Sequence, residues 1–515
     1  MQILALLLLL SGLQAPQSQP QPTQPQVQGA ESERAARPAE QARPEKEPPE
    51  EKPIETKHEI QVNGRSLKLT ATTGMMPLKN EKGETEGRVF FIAYVADTNQ
   101  GLGRRPLTFS FNGGPGSSSV WLHLGALGPK RVKMLDDGGM PSPPYQLVDN
   151  EHTWLEVTDL VFIDPIGTGY SRAAKPELGR KFWGLRGDIE SVGEFIRLYL
   201  TRYERWSSPL FLVGESYGTT RAAGLAGYLV ERSGIAFNGI MLVSSILNFQ
   251  TAEFDKGNDL PYVLFLPTYT ATAWFHKRLP ADLQADLKKT LAEVERFAGS
   301  EYTLALAKGD ALSASERTAV VRQLARFTGL SESYIAATNL RITQPGFCKE
   351  LLRDQRRTVG RLDSRFKGID EKATGERPEF DPSMAAIRPP YTAMFNDYVR
   401  RTLGYKTDLN YYILGGGITG PWEFPQGQFA DTSESLRSAF SKNPSMKLFV
   451  ASGYYDLATP YFATRYTLAH MGLDRSQLSH VSTSDYQAGH MMYIDIGELA
   501  RLKKDVAAFI TSSLQ

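Results

Sequence analysis

The sequence predicts an α/β protein with a mainly parallel central sheet. Five short, nearly continuous apolar runs indicate strands that are covered on both faces, as they are in a parallel sheet. These runs are RPLTFSF (105–111), DLVFIDP (159–165), PLFLVGE (209–215), GIMLVSS (239–245) and KLFVASG (447–453). Segments with helical spacing separate several of them, for example residues 187–203, and this alternation is typical of α/β architecture.

The folded part of the chain is predicted to open with an antiparallel hairpin. The segment HEIQVNGRSLKLTATTG (58–74) alternates apolar and polar residues on both sides of an Asn-Gly turn, and GRVFFIAYVAD (87–97) follows as a further strand. Asn-Gly between two alternating segments is a strong hairpin signal, because both residues tolerate a positive φ. We therefore expect one large domain over residues 58–515.

The longest interval without a strand-like run lies at about residues 250–405. It contains PADLQADLKKTLAEVERFA (280–298), SASERTAVVRQLARF (313–327) and SESYIAATNL (331–340). These segments have helical spacing and begin with Ser or acidic residues, which are helix-start signals. A helical insertion that covers the sheet as a cap is the simplest account.

Two segments precede the predicted domain. Residues 3–13 form an apolar run of signal-peptide length that is too short to span a bilayer. We predict a signal peptide over residues 1–15 and a secreted or periplasmic protein; a buried N-terminal helix is the alternative. Residues 16–57 are rich in Pro, Gln and mixed charges and are predicted to form a disordered linker, because they cannot bury enough apolar surface. No cysteine stands directly after the apolar run to carry a lipid, so no stable membrane anchor is expected.

Charge and cysteine content narrow the classes of function. The chain has 58 basic and 57 acidic residues, and this balance favours small or peptide substrates over nucleic acid or an anionic membrane. Cys348 is the only cysteine, so no intramolecular disulfide can form. Its surroundings, PGFCKELL, contain no histidine that would indicate a thiol nucleophile. We assign Cys348 no role, and we expect neither a metal nor an organic cofactor.

Ser216 lies in the segment FLVGESYGTTRAAG (211–224), where an apolar strand runs into a helix of small residues. A Gly-x-Ser-x-Gly pentapeptide alone is a weak signal, but a strand, a sharp turn and a helix are the context of a nucleophile elbow. Larger side chains at Gly214 or Gly218 would collide with the neighbouring strand and helix. The hypothesis is a nucleophilic Ser216, and the alternative is a glycine-rich turn between strand and helix.

A serine nucleophile needs a base and an orienting carboxylate, which follow it in the order Ser, Asp or Glu, His in this architecture. His490, in QAGHMMY, lies in a Gly-His turn suited to a loop at the sheet edge. His470 and His480 fit ordinary packed or surface histidines. Asp456 follows KLFVASGYY, at a strand end where catalytic loops cluster. The predicted triad is therefore Ser216, Asp456 and His490.

A second unusual loop, FNGGPGSSS (111–119), follows the strand LTFS. Two glycines before a proline allow the backbone to point an N–H at a developing oxyanion, and the second donor would be the N–H of Tyr217. A phosphate-binding loop is a poor alternative, since no Lys follows in the Walker position.

Together these segments resemble the serine carboxypeptidase family, in its bacterial, cysteine-poor branch. FNGGPGSSS, LGP (127–129), FIDPIGTGYS (162–171), GESYG (214–218), Asp456 after its strand and GHMMY (489–493) occur in the family's order. The resemblance covers most of residues 58–515. It implies an α/β-hydrolase fold and a serine peptidase that acts on peptides without a cofactor. Ser117 stands where many eukaryotic members carry a disulfide cysteine.

The resemblance implies roles for individual residues. The predicted triad residues keep their roles, and the N–H groups of Gly114 and Tyr217 would form the oxyanion hole. Asn112, Gly113 and Glu215 match the family residues that bind the terminal carboxylate of the substrate. Met491 matches a residue that lines the pocket for the C-terminal side chain.

Two departures from the family pattern leave the activity open between alternatives. Ala126 stands where the family often has a second glutamate that shares a proton with the one beside the serine, and Ser110 stands where it often has tryptophan. Both bear on carboxylate recognition, and neither touches the triad. The leading interpretation is a serine carboxypeptidase that works through an acyl-enzyme on Ser216. The alternatives are an esterase or acyltransferase with the same triad and a non-catalytic binding protein.

Overall fold

A ten-stranded sheet forms the centre of the protein, described here from a computed structural model of residues 51–98 and 101–515. The strands in chain order are β1 (Ile54–Val62), β2 (Arg65–Lys79), β3 (Thr85–Ala96), β4 (Leu107–Phe111), β5 (Lys130–Val132), β6 (Leu147–Asp149), β7 (Asp159–Ile163), β8 (Arg172–Ala173), β9 (Leu210–Ser216), β10 (Gly239–Ser245), β11 (Thr358–Val359), β12 (Lys367–Gly368), β13 (Lys447–Gly453) and β14 (Val481–Tyr486). The order across the sheet is β1-β2-β3-β7-β4-β9-β10-β13-β14, and β8 pairs with β3. The remaining strands form two short ribbons, β5 with β6 and β11 with β12.

The sheet is parallel from β7 to β14 and antiparallel from β1 to β7. The five apolar runs of the sequence supply β4, β7, β9, β10 and β13. Their side chains are almost all buried, because helices cover both faces of this part of the sheet. The predicted α/β class, with a mainly parallel sheet and an N-terminal antiparallel hairpin, is confirmed.

The hairpin turns at Asn63 and Gly64, whose φ values are 51° and 74°, as a two-residue turn between antiparallel strands requires. Strand β1 begins at Ile54, which pairs with Thr73 of β2. The prediction that the linker extends to residue 57 and the domain starts at His58 is therefore wrong by four residues. β1 is a largely exposed edge strand, so its first residues show no apolar pattern. The predicted signal peptide and the linker up to residue 50 lie outside the described residues.

Helices flank the sheet and fill the interval between β10 and β13. The α-helices are α1 (Val120–Leu122), α2 (Gly179–Phe182), α3 (Leu185–Arg202), α4 (Tyr217–Arg232), α5 (Leu260–Phe275), α6 (Ala281–Gln284), α7 (Leu287–Phe297), α8 (Thr303–Lys308), α9 (Ala314–Thr328), α10 (Glu332–Ala337), α11 (Gln344–Glu350), α12 (Pro382–Asp397), α13 (Ser433–Lys442), α14 (Tyr461–His470) and α15 (Ile496–Ser512). Among these described helices, none combines the length and the apolar character needed to cross a bilayer.

The two faces of the sheet belong to separate hydrophobic cores. Alternate side chains of β9 point in opposite directions: Phe211 and Val213 join one core, which includes residues of α12 and α15. Leu210 and Leu212 join the other, with residues of α3, α4 and α13. This sandwich fixes β9, and therefore Ser216 at its end, between two well-packed layers.

Helices α5 to α12 lie between β10 and β13, in the interval predicted to form a cap. Residues of α5, α7, α9 and α11 form a third hydrophobic core, which also includes Tyr454, Tyr455 and Leu457 from the loop after β13. The cap is thus packed directly on the loop that carries Asp456.

An extended segment, residues 404–432, follows the cap and is called the strap below. Isolated β-bridges join it to four loops: Leu414 to Ser117, Tyr412 to Gly169, Glu423 to Gly184 and Asp431 to Asn248. The strap therefore ties the loops after β4, β7 and β10 to one another and to the start of α3.

Candidate active site

Ser216 occupies a strained turn between β9 and α4. Its backbone has φ 60° and ψ −130°, a conformation that non-glycine residues adopt rarely and that is characteristic of a nucleophile elbow. A Cβ on Gly214 would lie 2.1 Å from the carbonyl oxygen of Gly218, and a Cβ on Gly218 would lie 2.8 Å from the carbonyl oxygen of Phe111. Only glycine fits at both positions, so the strand, the turn and the helix can approach this closely.

Asp456 and His490 are joined by a buried hydrogen bond. Nδ1 of His490 lies 2.7 Å from Oδ2 of Asp456. The other carboxylate oxygen, Oδ1, accepts from the N–H groups of Ala458 and Thr459 at 2.8 and 3.0 Å, and Oγ1 of Thr459 donates to Oδ2 at 2.7 Å. The carboxylate is therefore held by its own loop in the orientation that fixes the imidazole tautomer.

The electrostatic surroundings favour a charged imidazole at His490. Burial lowers the pKa of His490, but the negative charge of Asp456 and their hydrogen bond raise it by more, so that the pKa lies above its usual value. A base that takes a proton during a reaction benefits from this arrangement, because the nearby carboxylate stabilises the imidazolium that forms.

The loop that carries His490 rests on residues 362–365 of the cap. The N–H of His490 donates to the carbonyl of Leu362 at 2.7 Å, and the N–H of Gly489 donates to Oδ2 of Asp363 at 3.1 Å. A Cβ on Gly489 would lie 2.4 Å from Cβ of Asp363. Arg365 neutralises Asp363 through an ion pair of 2.8 Å. Sequence patterning makes this Arg- and Asp-rich stretch look like solvated surface, yet Leu362 and Asp363 are buried supports of the site.

The loop after β4 lies directly against the first turn of α4. A Cβ on Gly113 would lie 2.4 Å from the backbone N of Tyr217, and Gly114 has φ 104°, which a side chain would disfavour. The structure thus places the glycine loop against the backbone of Tyr217, and the N–H groups of Gly114 and Tyr217 remain the predicted oxyanion donors.

Arg221 anchors this arrangement and was not singled out by the sequence. Its Nη1 donates to the carbonyl oxygen of Asn112 at 2.7 Å, and its Nε donates to Asp188 of α3 at 2.8 Å. Both members of this ion pair are buried. The guanidinium therefore connects the elbow helix, the adjacent helix and the glycine loop.

Glu215, one residue before the nucleophile candidate, is 3% exposed. Burial raises the pKa of its carboxyl group to about 7, although the charge of His490 and the hydrogen bond from Tyr493 favour the ionised form. The hydroxyl of Tyr493 donates to Oε2 of Glu215. Tyr493 is a second residue that the sequence did not single out.

The remaining predicted residues fall in two groups. Asn112, Met491, Ala126 and Ser110 are all buried near the glycine loop or the His490 loop, and Oδ1 of Asn112 accepts from the N–H of Leu122 at 3.0 Å. His470 and His480 lie away from the Asp456–His490 pair: Nδ1 of His470 bonds to the carbonyl of Tyr466 within α14, and His480 ends a short turn before β14.

A cavity of about 660 Å³ lies between the cap and the loop after β13. Its lining includes Phe254, Phe265, Tyr334 and Arg361, and it reaches Leu457 and Ala458, next to Asp456. Within the described residues, no group of three His, Cys, Asp or Glu side chains is placed to hold a metal ion. Cys348 is buried, and burial raises the pKa of its thiol to about 12.

The sheet order, the strained serine at the end of β9 and the Asp–His pair on the loops after β13 and β14 define the protein as an α/β hydrolase. The profile of a family described as serine carboxypeptidase matches residues 63–495. The chain belongs to this family, as the sequence motifs predicted.

Individual relatives match only part of the chain, and at low sequence identity. The chain is 33% identical over 158 residues to the pheromone-processing carboxypeptidase KEX1 of Saccharomyces cerevisiae, covering 28% of this chain and 20% of that protein. It is 29% identical over 158 residues to serine carboxypeptidase-like 7 of Arabidopsis thaliana, covering 29% of this chain and 34% of the relative. The matched segments thus span about a third or less of the length of these two relatives.

A solved structure supports the fold over a larger span. The crystal structure of KEX1Δp, a prohormone-processing carboxypeptidase from Saccharomyces cerevisiae, superposes with a TM-score of 0.53 and covers 86% of this chain and 91% of that chain. Its sequence identity is 16%, so this likeness bears on the fold alone.

Proposed function

We propose that the protein is a serine carboxypeptidase that removes C-terminal residues from peptides through an acyl-enzyme on Ser216. The observation that carries the proposal is the buried Asp456–His490 hydrogen bond, on the loops that follow β13 and β14, in a sheet where Ser216 forms the elbow after β9. Family membership over residues 63–495 supports the same activity.

In this mechanism the Oγ of Ser216 attacks the carbonyl carbon of the last peptide bond while His490 accepts the hydroxyl proton. The N–H groups of Gly114 and Tyr217 stabilise the oxyanion of the tetrahedral intermediate. His490 then gives its proton to the leaving amine, and the C–N bond breaks to leave an ester on Ser216. A water molecule, deprotonated by the same imidazole, hydrolyses that ester and restores the serine.

Recognition of a free C-terminus is assigned to the buried polar groups beside the elbow. A protonated Glu215 can donate a hydrogen bond to the substrate carboxylate, and further contacts are assigned to the amide of Asn112 and the backbone of Gly113. Met491, one residue after His490, is assigned to the pocket for the C-terminal side chain.

The compartment is proposed from the sequence. The apolar run at residues 3–13 supports a signal peptide and export of the enzyme, either by secretion or to the periplasm. The nearly balanced charge of +1 is compatible with peptide substrates.

Covalent labelling and a matched peptide pair test the proposal. We expect a fluorophosphonate to label the protein, and Ser216→Ala to abolish labelling and to lower turnover by about 10⁴-fold or more, because triad residues act as a unit. Ser441→Ala, an exposed serine on α13, is the control and should label normally. A peptide with a free C-terminus should be shortened, and its C-terminally amidated twin should be a much poorer substrate.

An esterase or acyltransferase with the same triad is the second candidate, favoured by Ala126 and Ser110. This candidate would be supported if Ser216 is labelled and simple esters are hydrolysed rapidly, while neither the free-acid peptide nor its amide is cleaved. A folded protein that is not labelled at all would instead support a non-catalytic binding protein.

A further inference from the structure

The hydrogen-bond partner of Glu215 is a buried tyrosine. The hydroxyl of Tyr493 donates to Oε2 of Glu215, and both side chains are buried, with exposures of 2% for Tyr493 and 3% for Glu215. Tyr493 lies in the 3₁₀ turn Met492–Ile494, three residues after His490. The same loop therefore supplies the imidazole and the group that bonds to the acid before the nucleophile.

The ring of Tyr493 has space only because residue 125 is a glycine. A Cβ on Gly125 would lie 2.5 Å from Cε2 of Tyr493 and 2.7 Å from the hydroxyl of Tyr391. Gly125 precedes Ala126 in a π-helical turn, His123–Leu127, that is entirely buried. Gly125 thus leaves room for two tyrosines, Tyr391 and Tyr493.

We propose that Tyr493 is a positioning residue for recognition of the peptide's terminal carboxylate: its hydroxyl occupies Oε2 of Glu215, so that Oε1 is the oxygen offered to the substrate. This inference rests on the proposed carboxypeptidase function. It assigns to a tyrosine the place beside Glu215 that a second acidic side chain could otherwise take.

The choice of a tyrosine changes how the pair responds to pH. Burial and the charge of Glu215 raise the pKa of Tyr493 well above its usual value, so its hydroxyl remains a donor throughout the working range. A donor stabilises the carboxylate form of Glu215, whereas a second carboxylate would destabilise it. Tyr493 therefore limits the upper pH at which Glu215 keeps the proton that it needs to bind a carboxylate.

The other groups that face Glu215 come from three elements. The charge of His490 favours the ionised form of Glu215, and the charge of Asp456 opposes that form. His490 and Asp456 are hydrogen-bonded to each other in the Asp–His pair. Burial raises the pKa of Tyr391 of α12, and the charge of Glu215 raises it further. None of these groups changes when the Tyr493 hydroxyl alone is removed, so a Tyr493→Phe substitution isolates its effect on Glu215.

The test measures KM between pH 5 and pH 8 for a free-acid peptide and its amide. The KM of the free-acid peptide rises above a certain pH, and in Tyr493→Phe we expect this pH to be higher by about one unit. A shift of that size corresponds to the loss of roughly one hydrogen bond to a carboxylate. The KM profile of the amide and the pH dependence of kcat should not move. Tyr391→Phe removes a neighbouring hydroxyl from the same cluster and should leave all profiles in place.

Two further variants keep the inference falsifiable if Tyr493→Phe folds poorly. Gly125→Ala should displace the tyrosine ring without removing its hydroxyl, and it should shift the profile in the same direction. In a Glu215→Gln background, Tyr493→Phe should produce no additional shift.

A Tyr493→Phe profile that coincides with that of the unmodified enzyme, or an equal shift for acid and amide, would overturn the inference. Absence of both labelling and peptide hydrolysis in the unmodified enzyme would overturn the proposed function itself.

Discussion

His490 is held by residues from three distant segments of the chain. Its ring bonds to Asp456, its N–H to Leu362, and its carbonyl oxygen accepts from Oγ of Ser244 at 2.6 Å. In the proposed mechanism His490 accepts a proton and returns it within one reaction, and this restraint favours both steps because small misplacements of a catalytic group are costly.

We expect His490→Ala and Asp456→Asn each to reduce kcat/KM by about 10⁴-fold. The alanine removes the base, and the asparagine leaves the imidazole in the wrong tautomer. His470→Ala and His480→Ala are matched controls and should retain nearly full activity. Steady-state kinetics on one free-acid peptide checks all four variants, and near-normal activity of His490→Ala would contradict the assignment.

Glu215 should make both substrate binding and stability depend on pH. Its carboxyl has a raised pKa of about 7 in the folded protein, against an ordinary value near 4.3 when unfolded. The neutral form is therefore favoured by folding, and its contribution to stability is complete below pH 4 and is lost as pH rises through 7.

We predict that Glu215→Gln, which cannot ionise, flattens the rise of KM with pH for free-acid peptides. The variant should also gain stability relative to the unmodified protein as pH rises from 4 to 8, by roughly 3 kcal/mol. Thermal or denaturant unfolding at the two pH values measures this difference. An identical pH dependence of unfolding in both proteins would show that Glu215 titrates normally.

At the residue scale, the sequence identifies groups with strong local context and misses those defined by contacts across the fold. Asp456 and His490 could be named because a strand end and a Gly-His turn mark them. Arg221, Asp363 and Tyr493 carry no such local signal, since their partners Asn112, Gly489 and Glu215 are remote in the chain. Their roles become visible only when side chains are in place.

At the scale of elements, α3 and α4 are joined through the buried ion pair of Arg221 with Asp188. Removal of one partner from a buried pair leaves an uncompensated charge, which is more costly than the loss of a surface pair. The same guanidinium holds the carbonyl of Asn112, so the pair also fixes the loop that carries the predicted oxyanion donor.

We therefore predict that Arg221→Met lowers the free energy of unfolding by about 3–5 kcal/mol and reduces kcat more than KM. Arg186→Met is the control, because Arg186 forms an exposed pair with Glu190 on α3 and such pairs contribute little. Denaturant unfolding compares the two variants. A similar, small loss in both would mean that the buried pair is dispensable.

Strand β1 offers a second prediction for an element. A chain that lacks residues 16–50 should keep its activity and melting temperature, because that tract has little apolar surface with which to pack. A chain that lacks residues 16–57 also loses the pairing of Ile54 to Lys57 with β2 and should melt several degrees lower. Calorimetry on the two truncations tests this, and equal melting temperatures would mean that the start of β1 contributes nothing.

Element types were predictable where the apolar pattern is strong. The parallel strands and the Asn-Gly hairpin follow from local periodicity and turn chemistry. The strap was not predictable, because its bridges join loops that are remote in the chain. The start of β1 was not predictable, because its mostly exposed side chains leave the backbone hydrogen bonds to β2 as its main contacts. Residues with almost any side chain can form backbone hydrogen bonds, so these bonds cannot be recognised from the amino-acid composition.

At the scale of the whole molecule, the site is assembled by packing between the cap and the sheet. The cap shares its hydrophobic core with the loop that carries Asp456, and its residues 362–365 support the loop of His490. The sequence predicted a cap over the sheet from a long interval without strands. It did not predict that residues 362–365 of the cap support the loop of His490. Neither periodicity nor a sequence motif relates these two segments.

The order of the proposed triad along the chain has a consequence during synthesis. Ser216 and the glycine loop emerge first, whereas Asp456, His490 and Tyr493 follow only after the cap and the strap. Because synthesis proceeds from the N-terminus, a nascent chain that ends within the cap would hold the proposed nucleophile but neither its base nor its carboxylate. If the proposed function holds, the producing cell would thus meet an active enzyme only when nearly all of residues 51–515 have been made.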